Sequence, residues 1–136
     1  MIVGINGNVV YKEPTFVHVD VRGVVYEVFI SLHSFSALGN DEVKLFTTQI
    51  IREDAQLLFG FLDMSEKKMF EKLIKINGVG PKVAMAICST YTPNQFATLI
   101  NNKDISGVKK VPGIGPKSAG QIGEHTSELQ SRGHLV

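Results

Sequence analysis

The spacing of apolar residues divides the chain into two parts, with a change of period near residue 63. In the first part Val17, Val19 and Val21 alternate with polar residues, and the run from Val24 to Ile30 is rich in β-branched and aromatic side chains. An apolar residue at every second position is typical of a strand with one buried face. Further predicted strands cover residues 2–10, 43–51 and 55–61, and a short helix is predicted over residues 32–38.

Turn-forming residues separate the predicted strands at Glu13-Pro14, at Arg22-Gly23 and at Gly39-Asn40-Asp41. Glycine, proline, asparagine and aspartate favour the backbone conformations of tight turns. About five short strands with one helical insertion fit a small closed or partly open barrel such as an OB-fold. A plain antiparallel meander is the alternative that the pattern leaves open.

Beyond residue 63 the apolar residues recur at helical spacing, beginning with Met69, Leu73, Ile74 and Ile76, and Ser65 is a candidate N-cap. Breaks that contain glycine or polar residues separate the further helices. These helices are predicted over residues 81–89, 93–101, 105–109 and 116–122.

The predicted fold class is therefore α+β, with a β-barrel domain over residues 1–63 and an all-α domain over residues 64–122. The two domains differ in charge. The first holds four basic and eight acidic side chains, a net charge of −4, whereas the second holds nine lysines and three acidic residues, a net charge of +6. A basic domain points to a polyanionic partner, although a solvated lysine-rich helical face would produce the same numbers.

The helical domain contains the same short motif twice, at a constant offset of 35 residues. The segment from Ile76 to Ile87 aligns with the segment from Val111 to Ile122 and matches both glycines, the proline, the lysine, an alanine and the final isoleucine. A repeat of this size indicates one supersecondary element used twice, here a helix, a tight turn and a second helix.

Each copy of the motif has the parts of a phosphate-binding hairpin. The first glycine can adopt positive φ and end a helix, the apolar residue packs inward, and the second glycine allows close backbone approach. The proline suits the first turn of the next helix, where unpaired N–H groups bind anions. The candidate DNA-backbone residues are Gly78, Val79, Gly80, Lys82, Gly113, Ile114, Gly115 and Lys117.

Such a hairpin offers backbone amides and a lysine, which hold phosphates but do not contact base edges. We therefore expect sequence-independent DNA binding. A single copy would be better explained as a helix-connecting turn with a solvated lysine, but two matched copies in the basic half favour DNA binding.

The segments Asn77 to Lys82 and Pro112 to Lys117 resemble tandem helix-hairpin-helix motifs. An OB-like barrel followed by two such hairpins resembles the RuvA family, the junction-binding subunits of bacterial Holliday-junction branch-migration complexes. The stretch from Arg52 to Phe61 (Arg-Glu-Asp-Ala-Gln-Leu-Leu-Phe-Gly-Phe) also closely matches that family. The resemblance covers residues 1 to about 122 and implies binding of four-way DNA junctions in recombination and repair.

The same resemblance implies roles for three residues between two predicted strands. Glu53 and Asp54 match the family's acidic pin, which repels phosphates at the centre of the junction, whereas a charged hairpin tip that aids only solubility is the alternative. Arg52 is a candidate phosphate contact, with an ordinary surface arginine as the alternative. The resemblance also implies a homotetramer, or an octamer on DNA, and RuvB as a motor partner that hydrolyses ATP.

The sequence gives no sign of catalysis by the chain itself, and we expect it not to be an enzyme on its own. Neither hairpin has the spacing of an ATP-binding P-loop, and His18 and His33 have no nearby cysteine or histidine cluster, so no cofactor and no metal are expected. Cys88 lies among apolar residues and is predicted to be buried. No membrane segment or signal peptide is recognisable, and the expected location is the cytoplasm.

The chain departs from the family pattern after Ile122. Residues 123–136 are polar, and Glu124 to Ser131 resembles a translated sequencing adapter. We expect this tail to be foreign to the family and to replace the linker and the motor-binding third domain, so that contact with the motor is lost.

Two other functions compete with junction binding. One is a protein-interaction adaptor made of OB and helical domains, in which the lysines only solvate the surface. The other is a nuclease accessory module, which is disfavoured because no carboxylate cluster suited to a metal is visible.

Overall fold

The computed structural model describes residues 1–102, and the chain divides into two compact units, of which the second begins at Lys68. The second hairpin, the helices predicted over residues 105–109 and 116–122, and the tail lie outside the described residues. Among the residues described, no helix is long and apolar enough to cross a membrane.

The first unit contains five strands that form a closed barrel in the order β1-β2-β3-β5-β4. Strand β4 pairs with β1 to close it. The strands are β1 (Gly4–Glu13), β2 (Phe16–Val21), β3 (Val24–Ile30), β4 (Glu42–Ile51) and β5 (Gln56–Phe61), and helix α1 (Leu32–Ala37) connects β3 to β4. The OB-like barrel is therefore confirmed.

Alternating side chains of the strands fill the barrel. Val17 and Val19 on β2 are fully buried, as is Val28 on β3. The turn between these two strands has positive φ at both central residues, 52° at Arg22 and 96° at Gly23, which matches the twist of a tight hairpin. The alternation that predicted the strands thus also determines which side chains form the core.

The barrel closes through a parallel pair that a meander would not contain. Strand β3 pairs with β5 rather than with β4, and Ile30 lies opposite Gly60. A Cβ added at Gly60 would lie 2.6 Å from Val28 Cγ1 and 3.2 Å from Leu45 Cδ1, so the close packing of β5 on the core requires glycine there. The meander alternative is therefore wrong, because β3 and β4, which α1 connects, are not neighbours in the barrel.

Three further helices are described after the barrel: α2 (Met64–Leu73), α3 (Pro81–Thr90) and α4 (Pro93–Asn101). The suggestion that Ser65 caps α2 is wrong. Asp63 Oδ1 accepts a 2.9 Å hydrogen bond from the Glu66 amide, whereas the Ser65 hydroxyl donates to the same carboxylate at 2.5 Å. This Ser65 hydrogen bond is the main cause of a lowered pKa at Asp63. The carboxylate caps α2 because it accepts from both neighbours.

The helical unit has its own apolar core. Phe70, Leu73 and Ile87 are almost completely buried, and Phe96 on α4 is 2% exposed. Cys88 is buried, as predicted. Helix α4 begins with a capping box, in which the Thr92 hydroxyl accepts from the Gln95 amide. Buried apolar side chains thus come from α2, α3 and α4 alike.

Candidate nucleic-acid interface

The first hairpin connects α2 to α3 through a tight turn. The Val79 amide donates a 3.0 Å hydrogen bond to the Ile76 carbonyl, and Gly78 between them has a φ of 86°. Only glycine adopts this conformation without steric cost, so the first glycine of the motif serves the turn, as predicted from its sequence. Ile76 and Val79 are 3% and 5% exposed and anchor both ends of the turn in the helical core.

Nothing in the described part of the chain requires the second glycine of the motif to be glycine. Gly80 has a φ of −87°, which any residue can adopt, and a Cβ added there would meet no heavy atom of residues 1–102 within 4 Å. Gly80 is nevertheless the N-cap of α3, with Pro81 in the first turn, and no described side chain caps that helix. Within residues 1–102 the amides of this first turn therefore have no capping side chain, which is the condition under which a helix N-terminus can accept an anion.

Basic side chains lie on both sides of this turn. Lys82 is exposed in the first turn of α3. On the other side Lys68, Lys72 and Lys75 follow one another at spacings of four and three residues, which places them on one face of α2 and of the turn that follows it. Burial lowers the pKa of Lys72, and the charges of Lys68 and Lys75 lower it further, which agrees with the three lysines sharing one face. We call these three residues the lysine row.

The repeated motif does not include this lysine row. In the sequence, only the spacing of the three lysines by four and three residues indicates it. A row of like charges is stable only when solvent or a counter-ion compensates it, and a phosphate backbone is such a counter-ion. The lysine row and Lys82 together place four lysines in the segments that flank the turn.

The acidic pair lies at the tip of the hairpin between β4 and β5. The Arg52 amide donates a 2.8 Å hydrogen bond to the Ala55 carbonyl and closes the turn that holds Glu53 and Asp54. The side chains of Arg52, Glu53 and Asp54 are all exposed, and among the described residues neither carboxylate has a hydrogen-bonding partner. The tip therefore presents two solvated negative charges beside one positive charge.

The remaining candidate residues, Gly113, Ile114, Gly115 and Lys117, lie outside the described part of the chain. The hairpin and the acidic tip belong to different compact units. Within residues 1–102 no group of three or more histidine, cysteine, aspartate or glutamate side chains is arranged to hold a metal ion.

Two family models match the chain, one for each part of the fold. The RuvA N terminal domain matches residues 1–60, and the SAM-like helix-hairpin-helix tandem matches residues 70–125. The second match includes both glycine hairpins. The models thus divide the chain between the barrel and the helices.

Curated relatives match both parts at once. The chain is 76% identical over 122 residues to the Holliday junction branch migration complex subunit RuvA of Sulfurimonas denitrificans, covering 90% of this chain and 65% of the relative. It is 55% identical over 122 residues to the same subunit of Wolinella succinogenes, with the same two coverages.

The subunit of Campylobacter jejuni is 46% identical over 134 residues, which cover 97% of this chain and 73% of the relative. The chain spans slightly less than two thirds of the length of the first two relatives. The two family models match the barrel and the helical part in chain order, and this relative is 46% identical across both parts. The chain therefore belongs to the RuvA family.

Proposed function

We propose that this chain binds four-way (Holliday) DNA junctions by their structure and not their sequence, as the recognition subunit of an ATP-driven branch-migration complex. The observation that carries the proposal is the hairpin from Ile76 to Lys82, where an uncapped helix N-terminus lies next to an open glycine and an exposed lysine. The relatives named as subunits of that complex support it.

The hairpin would bind a DNA backbone phosphate in three ways. The amides at the start of α3 would donate hydrogen bonds to its oxygens, aided by the positive end of the helix dipole. Gly80 would let the phosphate approach, because no Cβ projects into the space. Lys82 would add positive charge. At the second hairpin the matching roles would belong to Gly113, Ile114, Gly115 and Lys117. None of these groups distinguishes bases.

The acidic tip would supply the preference for a junction. Glu53 and Asp54 would repel a phosphate backbone that passed close to them, which penalises a continuous duplex more than an open four-way centre. Arg52 would contact a neighbouring phosphate and offset part of this repulsion. Selectivity for DNA structure would then come from the positions of these charged side chains, and no contact with a base would be needed.

Assembly and energy supply complete the proposal. A four-armed substrate is matched by four-fold symmetry, so we propose a homotetramer, or an octamer on DNA. ATP hydrolysis would belong to the RuvB partner, and the chain would catalyse nothing itself. Junction DNA arises on the bacterial chromosome, so the cytoplasm is the proposed place of action.

A gel-shift comparison of a four-way junction with linear duplex of the same length tests the proposal. We expect the junction to bind at least about tenfold more tightly at physiological salt, and affinity to fall steeply as salt is added because phosphate contacts release counter-ions. Equal affinities for the two DNAs would reject structural selectivity.

Charge reversal tests the hairpins separately from the rest of the chain. Lys82→Glu combined with Lys117→Glu should abolish junction binding. The control, Lys44→Glu on β4, reverses a lysine outside the proposed interface and should leave most of the junction binding intact. Similar losses in both proteins would show that total charge, and not the hairpins, drives binding.

A further inference from the structure

The outer face of strands β1, β2 and β3 has a composition that junction binding does not explain. Strand register places nine side chains in three rows on this face, because residues directly opposite each other on paired strands point to the same side. We call it the acidic aromatic face. Its residues are Asn8, Asp20 and Val25 in the first row, Tyr11, His18 and Glu27 in the second, and Glu13, Phe16 and Phe29 in the third.

Three rings cluster at the centre of the acidic aromatic face. The centroids of Tyr11 and His18 are 5.4 Å apart, those of Phe16 and His18 are 5.3 Å apart, and those of Tyr11 and Phe16 are 6.1 Å apart. Tyr11 is 50% exposed, so the cluster is open to solvent rather than part of the core. Exposed aromatic side chains grouped in this way are enriched in binding surfaces.

Carboxylates surround the rings. The Tyr11 hydroxyl donates a 2.6 Å hydrogen bond to Glu13 Oε2, and His18 Nε2 lies 3.0 Å from Glu27 Oε1. The hydrogen bond from Tyr11 to Glu13, together with the negative charge of Glu13, raises the pKa of Tyr11. Each of these carboxylates has further lone pairs available for a ligand.

No lysine or arginine occupies any of the nine positions, so the face carries three negative charges from Glu13, Asp20 and Glu27. Lys12 on β1 points away from it, since its ammonium donates to the Leu38 carbonyl at 3.3 Å and lies over the Phe35 ring. Arg22 lies in the β2–β3 turn, outside the rows. A polyanion would be repelled here, although barrels of this type often bind oligonucleotides on their second and third strands.

We propose that the acidic aromatic face docks an arginine-bearing segment of a partner protein. A guanidinium is planar, stacks on an aromatic ring and donates paired hydrogen bonds to a carboxylate, so one side chain can use both features of the face. Glu13 on β1 accepts from Tyr11 and Glu27 on β3 lies beside His18, so each glutamate contacts a ring of the cluster, which suits a guanidinium lying flat on it. Lysine would satisfy the charge but would lose the planar stacking.

The test is NMR titration of the full chain with a capped hexa-arginine peptide, compared with a capped hexa-lysine peptide. We expect amide shifts centred on Tyr11, Phe16 and His18, and arginine affinity at least about threefold above lysine affinity, as expected for ring stacking. Tyr11→Ser and Glu27→Gln should each weaken hexa-arginine binding by about threefold to tenfold. The matched control, Asp41→Asn, removes an exposed charge outside the face and should bind like the parent chain.

Four results would overturn the proposal. Equal affinity for the two peptides would show simple charge attraction, and shifts spread over all acidic residues would show that no face is preferred. Shifts at Tyr11 and His18 on adding oligothymidine would identify the face as a nucleic-acid site. A fall in oligomer size on Tyr11→Ser, measured by analytical ultracentrifugation, would identify it as a contact between copies of this chain.

Discussion

The hydroxyl of Ser31 donates a 2.5 Å hydrogen bond to Oε1 of Glu66 and so ties the end of β3 to the first turn of α2. Ser31 Oγ also accepts from the Ser34 amide at 3.2 Å, so one hydroxyl caps α1 and pairs a carboxylate. Glu66 is only 6% exposed. Burial raises the pKa of its carboxyl, and the negative charge of Asp63 adds to the rise, while the Ser31 hydrogen bond opposes it.

Glu66 should make the stability of the chain depend on pH. Its folded pKa lies above the ordinary value of 4.5, so its contribution is fully present below pH 4.5 and is lost as pH rises through the raised pKa. Glu66→Gln keeps an oxygen for Ser31 and removes the titration. We expect the free energy of unfolding of the variant, relative to the parent, to increase from pH 4 to pH 7 in denaturant titrations followed by circular dichroism. A constant difference across this range would show that Glu66 has an ordinary pKa.

Removing the hydroxyl of Ser31 should destabilise the barrel more than a typical surface change. Ser31→Ala deletes the cap of α1 and leaves the buried Glu66 carboxylate without this donor, and we expect a loss of roughly 2 kcal/mol. In the Glu66→Gln background the loss should be smaller, because a neutral amide needs the donor less. Equal losses in both backgrounds, measured by denaturant unfolding, would mean that the two side chains are not coupled.

The two glycines of the first hairpin should separate folding from DNA binding. Gly78→Ala places a Cβ at a φ of 86° and should lower the free energy of unfolding by about 1–2 kcal/mol. Gly80→Ala should change the free energy of unfolding by less than about 1 kcal/mol, because two effects oppose each other. Alanine makes the unfolded chain less flexible, which stabilises the fold, but it is a poorer N-cap than glycine, which destabilises it. Its Cβ enters the proposed phosphate approach, and junction affinity in gel shifts should fall about tenfold. Unchanged affinity in Gly80→Ala would remove Gly80 from the interface.

Neutralising the acidic tip should reduce discrimination between DNA structures. Glu53→Gln combined with Asp54→Asn removes two exposed carboxylates without changing their size, so we expect binding to linear duplex to strengthen by about tenfold as repulsion is lost. Junction binding should change less. Asp41→Asn combined with Glu42→Gln removes the same charge elsewhere on the barrel and serves as the control. If both double variants strengthen duplex binding equally, overall charge and not the tip sets selectivity.

For the described residues the sequence by itself predicted the type and order of the elements, because their causes are local, although β1 spans Gly4–Glu13 and not the predicted residues 2–10. The alternation of apolar and polar side chains along β2 and β3 depends only on neighbouring residues, and the turn at Gly23 depends only on the residues that form it. The match between the two glycine motifs likewise indicated a hairpin, and the structure shows the first copy with Gly78 at positive φ and Val79 buried. Helix α4 begins and ends at the residues predicted.

Only the tertiary structure decided which elements meet, because period and propensity do not specify partners. The parallel pairing of β3 with β5 joins residues about 30 positions apart, and Ser31 meets Glu66 across a comparable distance in the chain. Asp63 displaced Ser65 as the cap of α2 because geometry, not residue type, selects between adjacent oxygens. The acidic aromatic face also exists only once strand register sets Tyr11 beside His18, since the pairing of strands, and not the order of residues, decides which side chains become neighbours.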